Sequence, residues 1–561
     1  MNNIKSENVI IRIKKLTDLT ERNDVMDYIP VLLILIPVVS SMVVYLTYNK
    51  YGNYIVFLSQ GCVSLLAIRF FQISEGFKEP VFLNLGNWNQ TVGIVLKNDS
   101  ISFAFITLTI IMWWSAILYC WKIRGQDSKF MFLLMFLEGI YLGMLQTNDI
   151  FNLFVFIELI TILSTILILY KKDGFSVRAG LYYLLFNSVG ILFYLLGMVM
   201  IYNLAGTLNI EILTEKLKMV ENVRFLTVSY IFIMAAVGVK SAFFPVFNWL
   251  PKAHSAAPSS ISALLSGLLV KAGLYVFIRM NQMYTTVSLG NFFLILGFFS
   301  ALIGVIFALS QKDIKQILAF HTVSQIGIMM IGLNSVDQTK TIGGLMHIFN
   351  HAFFKSLLFL GAGVIIARYN KRKVTEIRGV FKKMPLVSIL MIIGMLSISG
   401  APMFNGYVSK TIIKYGLKGN IFSEYAFKII NLGTIISFLK MSQIFLKDNE
   451  YSKGITVAKK DRFVSVKFAM VIPAVFCIIL GIFYAPIVSY ILNVDISYVH
   501  SMEISNLVDY LINIGIGLII YKLIIEKDYK FIRVLRHTNI SFSTSNYLLI
   551  LYIFIMMIWK L

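Results

Sequence analysis

Glu158 stands inside an apolar run, 153–169, in which no other side chain ionises, and the same pattern recurs down the chain. Lys240, Lys271, His347, His351, Lys355 and Lys410 each interrupt a stretch hydrophobic enough for a membrane core. A charge at the centre of a membrane helix costs about 2.5–3.5 kcal/mol on insertion scales. For Glu158, Lys240, Lys271, Lys355 and Lys410 together the cost is on the order of 12–17 kcal/mol. Packing offsets none of it, so such groups face a bundle interior or a water-filled cavity and mark an ion path. Lys, His and Glu are also side chains whose protonation can be tuned by burial and neighbouring charge, whereas arginine stays ionised. The residue types point to movement of protons or cations.

His347, His351 and Lys355 fall at i, i+4 and i+8, on one helical face. Two histidines one turn apart also match a metal-ligand spacing, but further ligands are missing and a cation one turn on opposes the metal. A proton relay is the better reading, with no metal and no cofactor. The competing reading is a set of static buried ion pairs. Its weakness is that one carboxylate cannot neutralise several deep lysines. Gln325, Ser324 and Asn350 read as ordinary helix-contact residues.

The elements that must hold these groups are membrane helices. Of 561 residues 58% are hydrophobic and only 14% charged, with a mean hydropathy of +0.78. A soluble chain of this size exposes far more charge, so the class is an all-α polytopic membrane protein. Apolar runs of about 20 residues, enough to span a bilayer core, recur throughout. They predict spans at 29–48, 53–73, 101–122, 129–146, 150–170 and 177–204, then 226–248, 258–280, 291–310, 314–333, 341–367 and 386–416. The last four are 425–446, 464–493, 506–525 and 544–560. At 1.5 Å per residue, Lys240, Lys271 and Lys355 lie about 20 Å from their helix starts, Glu158 about 12 Å and His351 about 15 Å. The polar tail 1–28 lacks an apolar core, so it is not a cleavable signal peptide and the first span serves as insertion signal.

A net charge of +22 could suggest nucleic acid. The distribution excludes that reading, because the basic residues gather in loops at alternate ends of the spans. Lys171, Lys172 and Arg178 fill one loop, Arg368 to Lys383 a second, Lys453 to Arg462 a third and Lys522 to Arg536 a fourth. By the positive-inside rule these loops face the cytoplasm of a cell membrane and both termini face outward. Cys62, Cys120 and Cys477 stand far apart, with no Cys-x-x-Cys to hold a cluster or zinc. Any redox chemistry therefore belongs to partners.

Two spans carry breakers. In the first, Lys240 precedes Pro245 and Pro251; in the second, Gly400 and Pro402 precede Lys410. Pro245 displaces the carbonyl of Ser241, next to Lys240. Broken backbone at membrane depth survives only where protein buries it or where it lines a cavity. A pair of broken helices in corresponding halves points to an inverted-repeat transporter.

The motifs carrying these groups are KSAFFPVFNWLPKAH over 240–254, with Ala257, Pro258 and SALLSGLLVKAG over 262–273, and DIKQILAFHTVSQIG over 313–327. With them stand HIFNHAFFKSLLFLGAG over 347–363, NDIFNLFVFIE over 148–158 and GAPMFNGYVSK over 400–410. Together, over about 29–493, they closely resemble the antiporter-like membrane subunits shared by Mrp-type sodium/proton antiporters, respiratory complex I and membrane-bound hydrogenases. The resemblance implies fourteen core helices with two inverted five-helix repeats, each with one broken helix. It divides the chain into a polar tail (1–28), helices 1–3 (29–125), a first repeat (126–280), a second repeat (281–446), helix 14 (447–493) and a two-helix extension (494–561). It implies Glu158 paired with Lys240 as a gating couple, Lys271 as central carrier, His347, His351 and Lys355 as onward relay, and Lys410 as terminal site.

Length and the contexts of Lys271 and Lys410 favour resemblance to the D-type Mrp subunit. The expected function is a non-enzymatic, proton-translocating subunit of a cation/proton antiporter. Its expected partners are other hydrophobic subunits, the lipid bilayer, protons and sodium, and no nucleic acid. The alternative is the proton-pumping arm of a complex I-like dehydrogenase or a hydrogenase; a stand-alone carrier or channel is the third reading. Two departures stand out: Gln316 where the family often has Arg or Lys, and the two extra C-terminal spans.

Overall fold

Where no water reaches, a chain satisfies its backbone polar groups only inside helices or a closed barrel, and here each apolar run becomes a helix. The computed structural model describes residues 28–47, 51–121, 127–334, 341–448, 450, 464–492, 494–496 and 503–560. The first membrane segments are α1 (Ile29–Leu46), α2 (Gly52–Ile73), α3 (Ser100–Cys120), α4 (Ser128–Gln146), α5 (Ile150–Ile168) and α6 (Gly174–Ala205). Next come α7, split into α7a (Val223–Lys240) and α7b (Trp249–Ala256), and then α8 (Ser259–Met283), α9 (Phe292–Ser310), α10 (Ile314–Leu333) and α11 (Ile342–Tyr369). The second split segment is α12, with halves α12a (Pro385–Ser399) and α12b (Asn405–Gly416). The last are α13 (Ile421–Ser442), α14 (Val464–Ile482, continued by Tyr484–Leu492), α15 (Ile504–Ile520) and α16 (Phe542–Lys560).

Every expected span thus has its helix. Fifteen helices among the described residues are long and apolar enough to cross a membrane, and the broken α12 is the remaining segment. The fold is an all-α polytopic membrane protein. Most of the polar tail and the basic loop 451–463 lie outside the described residues. An element not anticipated is a small antiparallel hairpin, β1 (Val81–Asn84) with β2 (Val95–Asn98), between α2 and α3. It fits there because Asn98 and Asp99 lead into α3, where Asp99 accepts from the Ser102 N–H at 2.8 Å and caps the helix.

Depth in the bundle separates the helices. Within the membrane-length window, 94% of α8 and 89% of α11 is buried, against 11% of α15. The two helices that carry Lys271 and the His347–Lys355 face are therefore the interior of the protein, as their charges require.

Both expected breaks are present. α7a ends at Lys240 and helix resumes only at Trp249. The freed backbone is taken up locally: Trp249 Nε1 donates to the Val239 carbonyl at 2.8 Å and Phe243 N–H to Gly238 at 2.9 Å. α8 packs directly on this break, for a Cβ on Gly273 would stand 2.9 Å from Ser241 N. α12a ends at Gly400, whose φ of +81° is a left-handed conformation that suits glycine.

The starts of α5 and α10 share a device. Asp149 caps α5 and bridges to Asn209; Asp313 caps α10 and bridges to Lys373. The same sixty-residue interval separates the members of each bridge. The extension packs on both broken helices. Tyr510 of α15 meets Ser399 at the end of α12a at 2.6 Å. The Ile540 carbonyl, just before α16, accepts from Asn248 and Lys252 beside α7b, both at 2.8 Å.

Candidate functional site: a buried row of titratable side chains

Five segments bring the sequence-predicted residues together. Glu158 sits on α5 with Oε1 buried and without a hydrogen-bond partner. Lys240, 5% exposed, closes α7a. Its ammonium donates to Thr161 Oγ1 at 2.7 Å and Tyr183 OH at 3.4 Å. Thr161 lies one turn along α5 from Glu158, so the two charges share one helix face and feel each other electrostatically. No ion pair within 4.0 Å joins them among the described residues: in this conformation the lysine rests on the hydroxyl.

Lys271 is fully buried. It follows a π-helical turn, Leu265–Leu269, a distortion frequent at functional sites. Its ammonium turns back onto the Ser266 carbonyl and reaches His351 Nδ1 at 2.6 Å on α11. An ammonium can only donate, so neutral His351 accepts at Nδ1 and carries its own proton on Nε2. That Nε2 has no hydrogen-bond partner.

One turn earlier, His347 is held on both sides. Nδ1 meets Ser409 Oγ of α12b at 2.9 Å and Nε2 meets Gln325 Oε1 of α10 at 3.0 Å. The amide oxygen requires the proton on Nε2, and Ser409 then donates to Nδ1. Gln325 is thus more than a packing residue, since it fixes the tautomer. Asn350 donates to the Asn405 carbonyl at 2.8 Å and ties α11 to the start of α12b.

Lys355, fully buried, donates to the Leu318 carbonyl of α10 at 2.5 Å. Lys410, 6% exposed, donates to the Ile398 carbonyl of α12a at 2.7 Å across the break. The row therefore runs from α5 through α7a, α8 and α11 to α12b. Apart from the half-buried carboxylate Glu158, its members are buried lysines and histidines, mostly met by carbonyls, hydroxyls and imidazoles.

Four further buried groups belong to this picture. His254 on α7b is fully buried, stacks on Phe359 at 4.6 Å and has neither ring nitrogen hydrogen-bonded. It lies within the electrostatic reach of Lys355 and Lys271. His321 on α10 is likewise buried with both nitrogens unpartnered, within reach of Lys355 and Lys410. The signal for His321 is in the sequence, an ionisable residue within an apolar span. His254 is obscured because α7b is too short to read as membrane helix. Lys440 on α13 is buried but saturated, donating to the carbonyls of Ala308, Leu309 and Gln311 at 3.0, 2.7 and 2.7 Å. Glu138 on α4 is fully buried beside Gln60 of α2, and no charge of the row acts on it.

At one end of the bundle, Arg279 makes a fork to Asp99 with both bonds at 2.7 Å. Burial opposes ionisation of Asp99, but the Arg279 guanidinium, with the Ser102 N–H and Lys97, outweighs it and holds the carboxyl down to about 2. This cluster also includes the Lys97–Glu211 ion pair and joins β2, α3 and α8. It is a structural clamp, because arginine does not release its proton.

The chain that carries this row is similar to known membrane proteins. Residues 147–438 match the family described as NADH:quinone oxidoreductase/Mrp antiporter, TM. The D-type Na(+)/H(+) antiporter subunit of Alkalihalophilus pseudofirmus is 29% identical over 425 residues, covering 74% of this chain and 86% of that protein. The N-type NADH-quinone oxidoreductase subunit of Desulforudis audaxviator is 30% identical over 390 residues, covering 67% and 76%. A chain in the structure of the Mrp complex from Dietzia sp. shares the fold, with a TM-score of 0.75 at 21% identity over 91% of this chain and 99% of that one.

Proposed function

This chain belongs to the NADH:quinone oxidoreductase/Mrp antiporter transmembrane family, and from that membership we propose that it is the proton-translocating subunit of a multisubunit Na+/H+ antiporter. It is a transporter rather than an enzyme. The observation that carries the reading is the Lys271–His351 contact at 2.6 Å, fully buried and, among the described residues, free of any static counter-ion.

Protons move along Glu158, Lys240, Lys271, His351, Lys355, His347 and Lys410. The Lys240 ammonium exchanges between Thr161 and Glu158, so proton occupancy on α5 is coupled to the charge at the α7 break. Lys271 passes a proton to His351 Nδ1, and the imidazole releases one from Nε2. His347, oriented by Gln325 and Ser409, carries the relay toward α12b, where Lys410 is the terminal site. Sodium is the exchanged cation. The Alkalihalophilus pseudofirmus relative, named as a sodium/proton antiporter subunit, supports that assignment.

The two helices that carry breaks belong to inverted repeats, 126–280 and 281–446. The paired Asp149–Asn209 and Asp313–Lys373 bridges support this division. The basic loops 171–178 and 368–383 face the cytoplasm of the plasma membrane and both termini face outward. Other hydrophobic subunits complete the complex.

The test is sodium-dependent proton movement in inverted vesicles containing the whole complex, without redox substrate, for wild type and Lys271→Ala. Exchange lost in the variant supports the reading. Intact exchange in Lys271→Ala removes this lysine from the path. No exchange in an otherwise active wild-type complex favours a redox-driven pump, the reading to which the 30% identity with the quinone oxidoreductase relative lends weight.

A further inference from the structure

The first helix of the extension is polar on one side. Asn506, Tyr510 and Asn513 recur at i, i+4 and i+7, with Asp509 at the edge of the stripe. Leu507, Val508, Leu511, Ile512 and Ile519 are exposed around the rest of the helix. In a bilayer such a helix turns its polar stripe toward protein or water. Here the stripe forms one wall of a cavity of about 410 Å³, with room for several waters. α12 supplies the facing wall with Gly400, Lys410 and Lys414, and α13 supplies Lys428 and Asn431.

The cavity runs from the buried row to the protein surface. Its inner end holds Lys410, whose acceptor Ile398 is followed by Ser399, and Ser399 meets Tyr510 of α15 at 2.6 Å. Its mouth lies where α12b finishes and α13 and α15 begin, among the exposed Lys414 and Lys428. Lys414 stands one turn beyond Lys410, about 6 Å along the axis. Three lysines line the walls against the single carboxylate of Asp509. That balance disfavours a metal cation and suits a site that exchanges protons with water.

We propose that this cavity is the aqueous outlet of the proton path and that Asp509 is the carboxylate that passes the Lys410 proton to or from bulk water. The proposal rests on the proton-translocating reading above. In the outward step, the Lys410 ammonium loses a proton to cavity water, Asp509 accepts it from that water, and the carboxylic acid releases it at the mouth. Water and Asp509 return to their starting states, and the Lys410 amine regains its proton from the next one arriving along the buried row. Tyr407 and Tyr415 of α12b, Lys428 of α13, and Glu503 and Tyr510 at the start of α15 are the other titratable groups facing this site. Among the lining residues Asp509 alone is a carboxylate.

The experiment compares antiport by the whole complex for wild type, Asp509→Asn, Asp509→Glu and Leu511→Ala, with Lys271→Ala alongside. Asp509→Asn is expected to lower exchange about 100-fold, the low end of what a positioned proton-transfer group contributes. Azide, a small weak acid able to enter the cavity, restores it when added on the side of the mouth. Asp509→Glu retains exchange, and Leu511→Ala, on the opposite face of α15, matches wild type. Wild-type exchange in Asp509→Asn, or a loss that neither azide nor glutamate repairs, overturns the outlet. If Lys271→Ala abolishes exchange while Asp509→Asn does not, the outlet alone falls. If Lys271→Ala exchanges normally, the underlying reading falls with it.

Discussion

Lys410 and Lys440 are both buried lysines, 6% and 7% exposed, yet their surroundings predict opposite phenotypes. Lys440 spends all three of its N–H donors on the carbonyls of Ala308, Leu309 and Gln311. These carbonyls end α9, where a helix leaves its last acceptors unmet and a cation is favoured. Lys440→Met keeps the stem and removes the ammonium. A buried polar group left unpaired costs about 1–3 kcal/mol. With one of the three carbonyls recovering a water, two remain unpaired and the loss is about 2–6 kcal/mol. Among the described residues Lys410 has a single protein acceptor, the Ile398 carbonyl, beside a cavity with room for water. Lys410→Met therefore costs about 1 kcal/mol or less. Thermal denaturation of the purified complex in detergent, and exchange normalised to assembled complex, separate the two effects. Lys440→Met should be strongly destabilised but exchange normally per folded complex; Lys410→Met should be stable and inactive. A stable, inactive Lys440→Met would refute the reasoning, because saturation by carbonyls would then not mark a static lysine.

Two further outcomes follow from the same contacts. Glu138→Gln should fold and exchange as wild type, since Gln60 can meet an amide and no charge of the row acts at this position; Glu158→Gln, measured in the same vesicles, should lose exchange. Asp99 is held at about 2, below its ordinary 3.8, so it stabilises the fold above that ordinary value and the contribution disappears as pH falls through about 2. The shift corresponds to about 2 kcal/mol. Asp99→Asn should therefore lower the melting temperature at neutral pH, with the gap to wild type closing in strong acid; a gap that stays constant would show that the cap, not the charge, matters.

The sequence alone determined the helices, their number, the two breaks and most of the buried row. The reason is local: insertion cost depends on the apolar run that surrounds a charge, and a proline disrupts its own helix. Lys271, His351, Lys355 and Lys410 can each be found within a single segment. What each one touches cannot, because the partners stand on other helices. That Lys240 rests on Thr161, that Lys271 meets His351 and that Gln325 orients His347 are contacts between segments separated by 22 to 80 residues. Lys440 is an ordinary residue near a span's end in sequence, and a saturated cation only once three carbonyls from α9 surround it. His254 escapes the sequence because its helix is one half of a broken span.

The extension shows the division most clearly. Periodicity gives α15 a polar face, but nothing in the chain before residue 500 says what that face meets. Only packing brings Tyr510 to Ser399, 111 residues away, and places Asp509 on the wall of the cavity that holds Lys410. Which residues may be charged inside a membrane is a property of each helix; which of them can exchange a proton is decided by the distances between helices, and those arise only when the bundle is assembled.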